Sequence, residues 1–424
     1  MSLINTSKTM EIFERIRHQR GPLGQYAHLG EGYYMFPELK GEIASRMMFN
    51  GKEVVVWSIN NYLGLANHPE VRKTDAEAAA RWGLAYPMGA RLMTGETSLH
   101  KELERKLAAH VYKQAAAVVN YGYPGVVSAI DALLSRRDAV VYDAESHGCI
   151  IDGTRLHIGE RFSYKHNDIE SVEQNLERAK KWTDEKGGGI LVVTEGVFGM
   201  RGDQGILKEI AALKKKYNFR FFVDDAHGYG TLGEGGRGAG VEQGCQDDID
   251  IYFSTFAKSF ACTGGFLAGD ADIIQYLQYA MRSQIHAKSL PMPIVEGNLK
   301  RLELMIKHPE YKAQLWHIAT TLQEGLKARG FNIGDTNTVV TPVYLNGTPF
   351  EATQLVHDMR ESYGIFTSMI VYPVIPKGMI LLRMIPTASH TDADVQQTLD
   401  AFSAVSEKLK AGAYQDKVLN PVLG

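Results

Sequence analysis

The segment Asp248-Ile249-Asp250-Ile251-Tyr252-Phe253-Ser254-Thr255-Phe256-Ala257-Lys258-Ser259 passes from an apolar run into small hydroxyl residues and a lysine, and Thr263-Gly264-Gly265 follows at once. The apolar run reads as a short buried strand. A lysine just beyond such a strand, among Ser and Thr and ahead of two glycines, suits an aldehyde cofactor. Its amine can form a Schiff base while hydroxyls and backbone N–H groups take a phosphate. A solvated loop lysine is the plainer alternative for Lys258 taken alone. Upstream, the compact strand Arg220-Phe221-Phe222-Val223 runs into Asp224-Asp225-Ala226-His227-Gly228. Open α/β sheets place ligand contacts at the C-terminal ends of buried parallel strands. A carboxylate there could pair with a protonated pyridine nitrogen and keep the ring able to absorb electrons. His227 could donate to the ring's phenolic oxygen. An Asp pair that only caps the next turn is the competing explanation.

The chain has 424 residues, 44% of them hydrophobic, which is more than one small domain needs, so two domains are expected. Lys and Arg number 46 against 49 acidic residues, and a net charge of −3 argues against a dominant nucleic-acid surface. Cys149, Cys245 and Cys262 have neither metal-ligand nor disulfide spacing. No metal is therefore expected, and a reducing cytoplasm fits. No apolar run follows a basic start, as a secretory signal would require, and no run of about eighteen apolar residues implies a membrane span. Peripheral contact with an inner membrane surface stays open.

Outward from the centre, strands and helices alternate. Ala115–Asn120, Ala139–Asp143, Gly189–Thr194 and the two strands above read as strands, Arg161–Tyr164 as an edge strand, and Gly265–Gly269 as a further strand, reversed. Val126–Leu134, Asp168–Trp182 and Ile206–Tyr217 read as intervening helices. This spacing predicts a mainly parallel sheet with helices on both faces. Tyr121-Gly122-Tyr123-Pro124-Gly125 is a glycine turn opening a helix, a weak phosphate-cradle signal. His147 stands at a strand-to-helix junction, where it could lie against a cofactor ring or simply cap the helix. Asn60-Asn61-Tyr62-Leu63-Gly64-Leu65 could set an amide near a substrate or be an Asx-rich turn. Ahead of it, Thr9–Arg20 reads as an amphipathic helix closed by Gly21-Pro22, and Asn50-Gly51 as a hairpin turn before Val54–Trp57. Beyond, Trp316–Arg329, Ala352–Tyr363 and Thr391–Leu409 are helical, and Val339–Leu345, Phe366–Tyr372 and Met379–Met384 are strands separated by an Ile375-Pro376-Lys377-Gly378 turn.

With Asp224, His227 and Lys258 in hand, the sequence resembles the α-oxoamine synthases, pyridoxal-phosphate enzymes of aminotransferase fold type I. The likeness spans about residues 60–390. It rests on the Asn60–Leu65 loop, His147 with Ile150-Ile151-Asp152-Gly153, Asp224–Gly228, and Thr255–Ser259 with Gly264-Gly265. It implies an N-terminal helix and small sheet segment over 1–58, and a large pyridoxal-phosphate-binding domain with a seven-stranded sheet over 59–295. A smaller α+β domain over 296–409 and a tail over 410–424 complete the chain. It implies that Lys258 holds the cofactor and takes the amino acid's α-proton, that Asp224 meets the pyridine nitrogen and His227 the phenolic oxygen, and that His147 stacks on the ring. Phosphate would be held at Gly122, Tyr123 and Thr255, with Ser289 reaching in from a partner in a homodimer with shared active sites. Arg383 would meet a substrate carboxylate, Asn60 would face the substrate, and Glu195 would lie near the cofactor.

The implied reaction is decarboxylative condensation of a small amino acid with an acyl-CoA. The region from Tyr372-Pro373 through Arg383 to Thr391 resembles bacterial serine palmitoyltransferases and favours serine. Glycine C-acetyltransferase, 8-amino-7-oxononanoate synthase, aminotransferase or lyase activity, and a non-catalytic partner subunit are the alternatives. Departures stand at Gly199, where the family has serine, at Tyr121, at Pro87–Arg91, and at Ala287 and Lys288. The N-terminal Ile12, Phe13, Tyr33 and Phe36 could touch an acyl chain, or cover a sheet or a partner.

Overall fold

The computed structural model describes residues 11–19, 30–371 and 378–415. The Gly21-Pro22 helix closure, Tyr372-Pro373, the Ile375-Pro376-Lys377 turn and the tail beyond 415 lie outside those residues. Near the start, β1 (Leu39–Lys40), β2 (Arg46–Phe49) and β3 (Lys52–Val56) form an antiparallel meander. Asn50 and Gly51 both have positive φ, 48° and 80°, which is the backbone a two-residue hairpin turn demands.

The large sheet contains β4 (Ala115–Val119), β5 (Ala139–Asp143), β6 (Glu160–Tyr164), β7 (Ile190–Glu195), β8 (Arg220–Asp224), β9 (Ile251–Thr255) and β10 (Gly265–Gly269). Their order is β4-β10-β9-β8-β7-β5-β6, and β6 is an edge. Every pairing is parallel except those of β10, which runs antiparallel to both β9 and β4. All residues of β7, β9 and β10 are buried, as expected of strands covered by helices on both faces. The register sets Glu195 of β7 opposite Asp224 of β8. It sets Gly265 opposite Thr255, so the Phe256–Gly264 loop that carries Lys258 is closed at its base by two paired strands.

The C-terminal strands β11 (Thr341–Asn346), β12 (Ile365–Phe366), β13 (Ser368–Ile370) and β14 (Met379–Met384) divide between two sheets. One has the order β11-β14-β13; in the other β12 pairs in parallel with β3. The single strand expected over Phe366–Tyr372 is thus two short pieces. Between them, Thr367 is buried and its hydroxyl donates to the Arg383 carbonyl at 3.2 Å. Helices Pro309–Ala328, Pro349–Tyr363 and Asp392–Lys410 cover these strands. Val55 and Trp57 share one core with Leu322, Leu355, Leu382 and Phe402.

Other boundaries also moved. The helix expected from Trp316 begins at Pro309, a residue suited to the first helical position because it lacks the N–H that would be unpaired there. The helix expected over Ile206–Tyr217 is α-helical only over Leu207–Ala212 and ends in a 3₁₀ turn. The N-terminal helix forms over Ile12–Gln19, but Ile12, Phe13 and Ile16 are exposed, as is Phe36. Only Tyr33 packs inward, edge-on to Phe49. Among the described residues no helix is long and apolar enough to cross a membrane.

Candidate active site

Three strand ends of the large sheet converge. Asp224 ends β8 with 5% exposure; its Oδ1 accepts the Ala226 N–H at 3.1 Å, and the Cys149 thiol lies 3.6 Å from Oδ2. Burial pushes its carboxyl up, opposed by the charges of Lys258 and His147. Glu195, ending β7, accepts the His147 N–H at 2.5 Å, and burial together with Asp224 raises it to about 8. Lys258 follows β9 and is half-buried. Burial draws its amine down to about 8 against the pull of Asp224 and Glu195. Among the described residues no carboxylate lies within salt-bridge distance of it. An amine with a lowered pKa supplies neutral nucleophile near physiological pH.

His227 is 8% exposed, and its Nδ1 lies 2.7 Å from the Tyr62 hydroxyl. Burial raises the Tyr62 pKa and pushes His227 well below its ordinary value, with Lys258 and Arg383 adding to the latter. The imidazole is therefore neutral. We assign Tyr62 as the donor to Nδ1, which leaves the proton on Nε2. That Nε2 faces Gly199: a Cβ added at Gly199 would fall 2.0 Å from it. The departure at Gly199 is thus a packing requirement, because the ring of His227 fills the space a serine would use. Arg383, on β14, donates through Nη1 to the Gly199 carbonyl at 3.2 Å, and its Nε is buried without a partner.

His147 is the N-cap of the Gly148–Leu156 helix. Its Nδ1 accepts the Cys149 N–H at 3.3 Å and lies 3.0 Å from the Cys149 thiol. The ring is exposed, so it caps the helix while presenting a face to solvent.

The helix expected from Val126 starts at Gly122 instead and runs to Leu133, so Gly122 and Tyr123 are its first two residues. Pro124 fits there because first-turn N–H groups have no intrahelical partner. Tyr121 caps this end without a side-chain hydrogen bond, which leaves backbone donors open to an anion. A Cβ on Gly122 would stand 3.1 Å from the Thr255 hydroxyl, so helix start and strand end share one corner. The Thr255 hydroxyl itself braces the lysine loop, accepting the Ala257 N–H at 3.2 Å and donating to the Gly264 carbonyl at 3.0 Å.

Ser289 sits differently. It is 3% exposed, its hydroxyl donates to the Gly95 carbonyl at 2.8 Å and its N–H to the Gly89 carbonyl at 2.8 Å. Within its own chain it braces the Gly89–Gly95 loop. The Lys288 carbonyl next to it accepts from Asn120 at 2.5 Å, one residue before the Tyr121 cap. Asn60 has a buried Oδ1 without a donor and shares a cleft with Ala257, the neighbour of Lys258. Sequence reasoning missed two residues here, Tyr62 and Cys149. Tyr62 lies inside the Asn60–Leu65 loop and Cys149 two residues after His147, but nothing local says that Tyr62 reaches His227 or that Cys149 contacts both His147 and Asp224.

The aminotransferase class I and II family profile matches residues 52–402. The chain is 61% identical over 405 residues to the cysteate-C-fatty acyltransferase of Capnocytophaga ochracea, with 96% of each chain covered. The serine palmitoyltransferase of Sphingobacterium spiritivorum is 32% identical, over 88% of this chain and 92% of that one. Among solved structures, the Sphingomonas wittichii serine palmitoyltransferase superposes with a TM-score of 0.88 at 27% identity, covering 95% of this chain and 99% of the other. The chain belongs to the α-oxoamine synthase branch of the class I and II aminotransferase family. This α-oxoamine synthase is a pyridoxal-phosphate-dependent acyltransferase that condenses an amino-acid substrate with an acyl-CoA. Its own residues fit that cofactor: an amine of lowered pKa, a buried carboxylate at the end of the adjacent strand, and an uncapped helix start meeting a strand-end hydroxyl.

Proposed function

We propose that this synthase joins cysteate to a fatty acyl-CoA. The carrying observation is the 61% identity, over 96% of both chains, to a cysteate-C-fatty acyltransferase. Arg383 supports the amino-acid half of it. Beside Lys258 and His227 this guanidinium holds only a backbone carbonyl and a thioether, and among the described residues no carboxylate neutralises it. A half-buried, uncompensated cation suits the carboxylate of an amino-acid substrate, which cysteate and serine share. Serine is the second reading, favoured by the structural likeness to serine palmitoyltransferase.

Bound pyridoxal phosphate supplies a ring that takes up the electrons left on the substrate's α-carbon. Lys258 Nζ would hold its aldehyde and would take the amino acid's α-proton. Asp224 holds positive charge at the pyridine nitrogen, and His227, oriented by Tyr62, offers Nε2–H to the phenolic oxygen. His147 flanks the ring, with its N–H fixed by Glu195. Gly122, Tyr123 and Thr255 take the phosphate, Arg383 the carboxylate, and Asn60 faces the substrate. The α-carbon would attack the acyl carbon and the C–S bond break, so that CoA leaves as its thiolate; the bond from the α-carbon to the carboxyl carbon would then break, releasing carbon dioxide, and the α-carbon would take up a proton in its place. A homodimer fits the exposed Leu84, Met88 and Met93 in and just before the loop that Ser289 braces.

CoA release from purified protein with palmitoyl-CoA and cysteate, serine, glycine or alanine tests the reading. At least about tenfold higher kcat/KM for cysteate than for serine is expected, the value of one well-placed ionic contact. A preference for serine would establish the second reading instead. Gly199→Ser, which puts back the residue usual in the family, should be unfavourable. Its Cβ displaces the His227 ring from Tyr62, so a loss of roughly 1–3 kcal/mol of stability and a shift in the bound cofactor's absorbance are expected. Unchanged melting and spectrum would show that the ring yields freely.

A further inference from the structure

His166 and Asn167 follow the edge strand β6, away from the cofactor-binding residues, yet both side chains grip the chain from Phe198 to Ile206. We propose that they are positioning residues: by fixing the Phe198–Asp203 turn they aim the Arg383 guanidinium at the substrate's carboxylate. This rests on the carboxylate role of Arg383 and names what that role depends on.

Among the described residues the Arg383 side chain has two hydrogen-bonding contacts, the Gly199 carbonyl at 3.2 Å and the Met200 sulfur at 3.6 Å. Both belong to this turn. The guanidinium therefore points where the turn sets it, and a displaced turn displaces the charge. The turn closes on itself at Phe198, whose N–H donates to the Asp203 carbonyl at 2.9 Å and whose carbonyl accepts the Gly202 N–H at 2.8 Å. Its other attachments come from outside. His166 Nε2 lies 2.9 Å from Asp203 Oδ2, and its Nδ1 lies 3.1 Å from both oxygens of Asp143, the fully buried last residue of β5. Burial opposes a charge on this ring, but hydrogen bonds to the two carboxylates raise it to about 9. An imidazolium donates from both nitrogens, so His166 ties the turn to a strand end of the large sheet. Asn167 donates through Nδ2 to the Gln204 carbonyl at 2.9 Å and accepts the Ile206 N–H at 3.3 Å. From the opposite side, the Thr338 hydroxyl and the Asn337 N–H donate to the Gly202 carbonyl at 2.8 and 3.2 Å. The turn is thus held between the large sheet and the segment leading into β11. It carries the contacts that orient an arginine of β14.

The test is the affinity of the holoenzyme for cysteate and for serine, read from the bound cofactor's absorbance, beside KM for palmitoyl-CoA and thermal melting. Asn167 has a left-handed backbone, φ 49°, which glycine also adopts, so Asn167→Gly removes the side-chain contacts without straining the chain. His166→Gln removes the charge. Each should weaken amino-acid binding by roughly tenfold, since a displacement of about 1 Å can cost on the order of 10²-fold. KM for palmitoyl-CoA should stay within about twofold of wild type. Arg383→Ala alone should weaken amino-acid binding by about tenfold or more. Adding Asn167→Gly to it should cost nothing further, because both act through one contact. Lower melting with wild-type amino-acid affinity, or losses that add in the double variant, would overturn the positioning role and leave that of Arg383 standing. Wild-type affinity in Arg383→Ala would overturn both.

Discussion

Replacing Lys258 with alanine is expected to lower kcat by on the order of 10³-fold or more, because both covalent capture of the cofactor and the α-proton transfer lose their amine. Borohydride should then fix no cofactor to the protein. The pH dependence of capture is a sharper test of the geometry. An ordinary lysine titrates at roughly 10.4, whereas burial draws this one to about 8. A lowered pKa means that the neutral amine is gained as pH rises through about 8. Loading of the cofactor-stripped enzyme, followed by absorbance, should therefore accelerate up to that pH and then level off. A rate still climbing about tenfold per unit above pH 9 would show that Lys258 is not desolvated as described.

Asp224→Asn is expected to cost on the order of 10²–10³ in kcat, the range seen when a preorganised electrostatic contact is removed from a closed site. The substitution keeps the shape and the Ala226 contact but takes away the charge that would hold a proton on the pyridine. Burial already disfavours that charge, so the folded state should tolerate the change and the melting temperature should hardly move. Steady-state turnover, the cofactor's absorption spectrum and thermal melting together separate the two effects. Turnover within tenfold of wild type would remove Asp224 from its assigned role.

These expectations rest on residues whose significance is local. Asp224 ends a short apolar strand and Lys258 follows one closely, and that pattern is visible in a window of ten residues. The alternation of strands and helices is local too, which is why the large sheet and its reversed strand were legible. What escaped depends on contacts through space. Tyr62 and His227 stand 165 positions apart, and no periodicity links them. Gly199 stands in the sequence only as a departure from the family's serine, because the sequence does not show where the His227 ring leans. Gly122 reads as part of a glycine turn ahead of the helix, yet it is the first helical residue, since the first turn of a helix accommodates Pro124. The run from Phe366 looked continuous because two short strands with the same composition can serve different sheets.

The pairing of β3 with β12 bears on how the chain is made. Val54, Val55 and Val56 are essentially inaccessible in the finished molecule, yet the second partner of β3, on the edge away from β2, leaves the ribosome some three hundred residues later. The large sheet, complete by Gly269, can assemble while synthesis continues; the N-terminal strand must wait with its apolar edge unpaired. A nascent chain halted before Ile365 should therefore be insoluble or chaperone-bound, whereas one halted after Lys410 should not. Vectorial synthesis, more than final stability, is then the stage at which this protein is most exposed to misassembly.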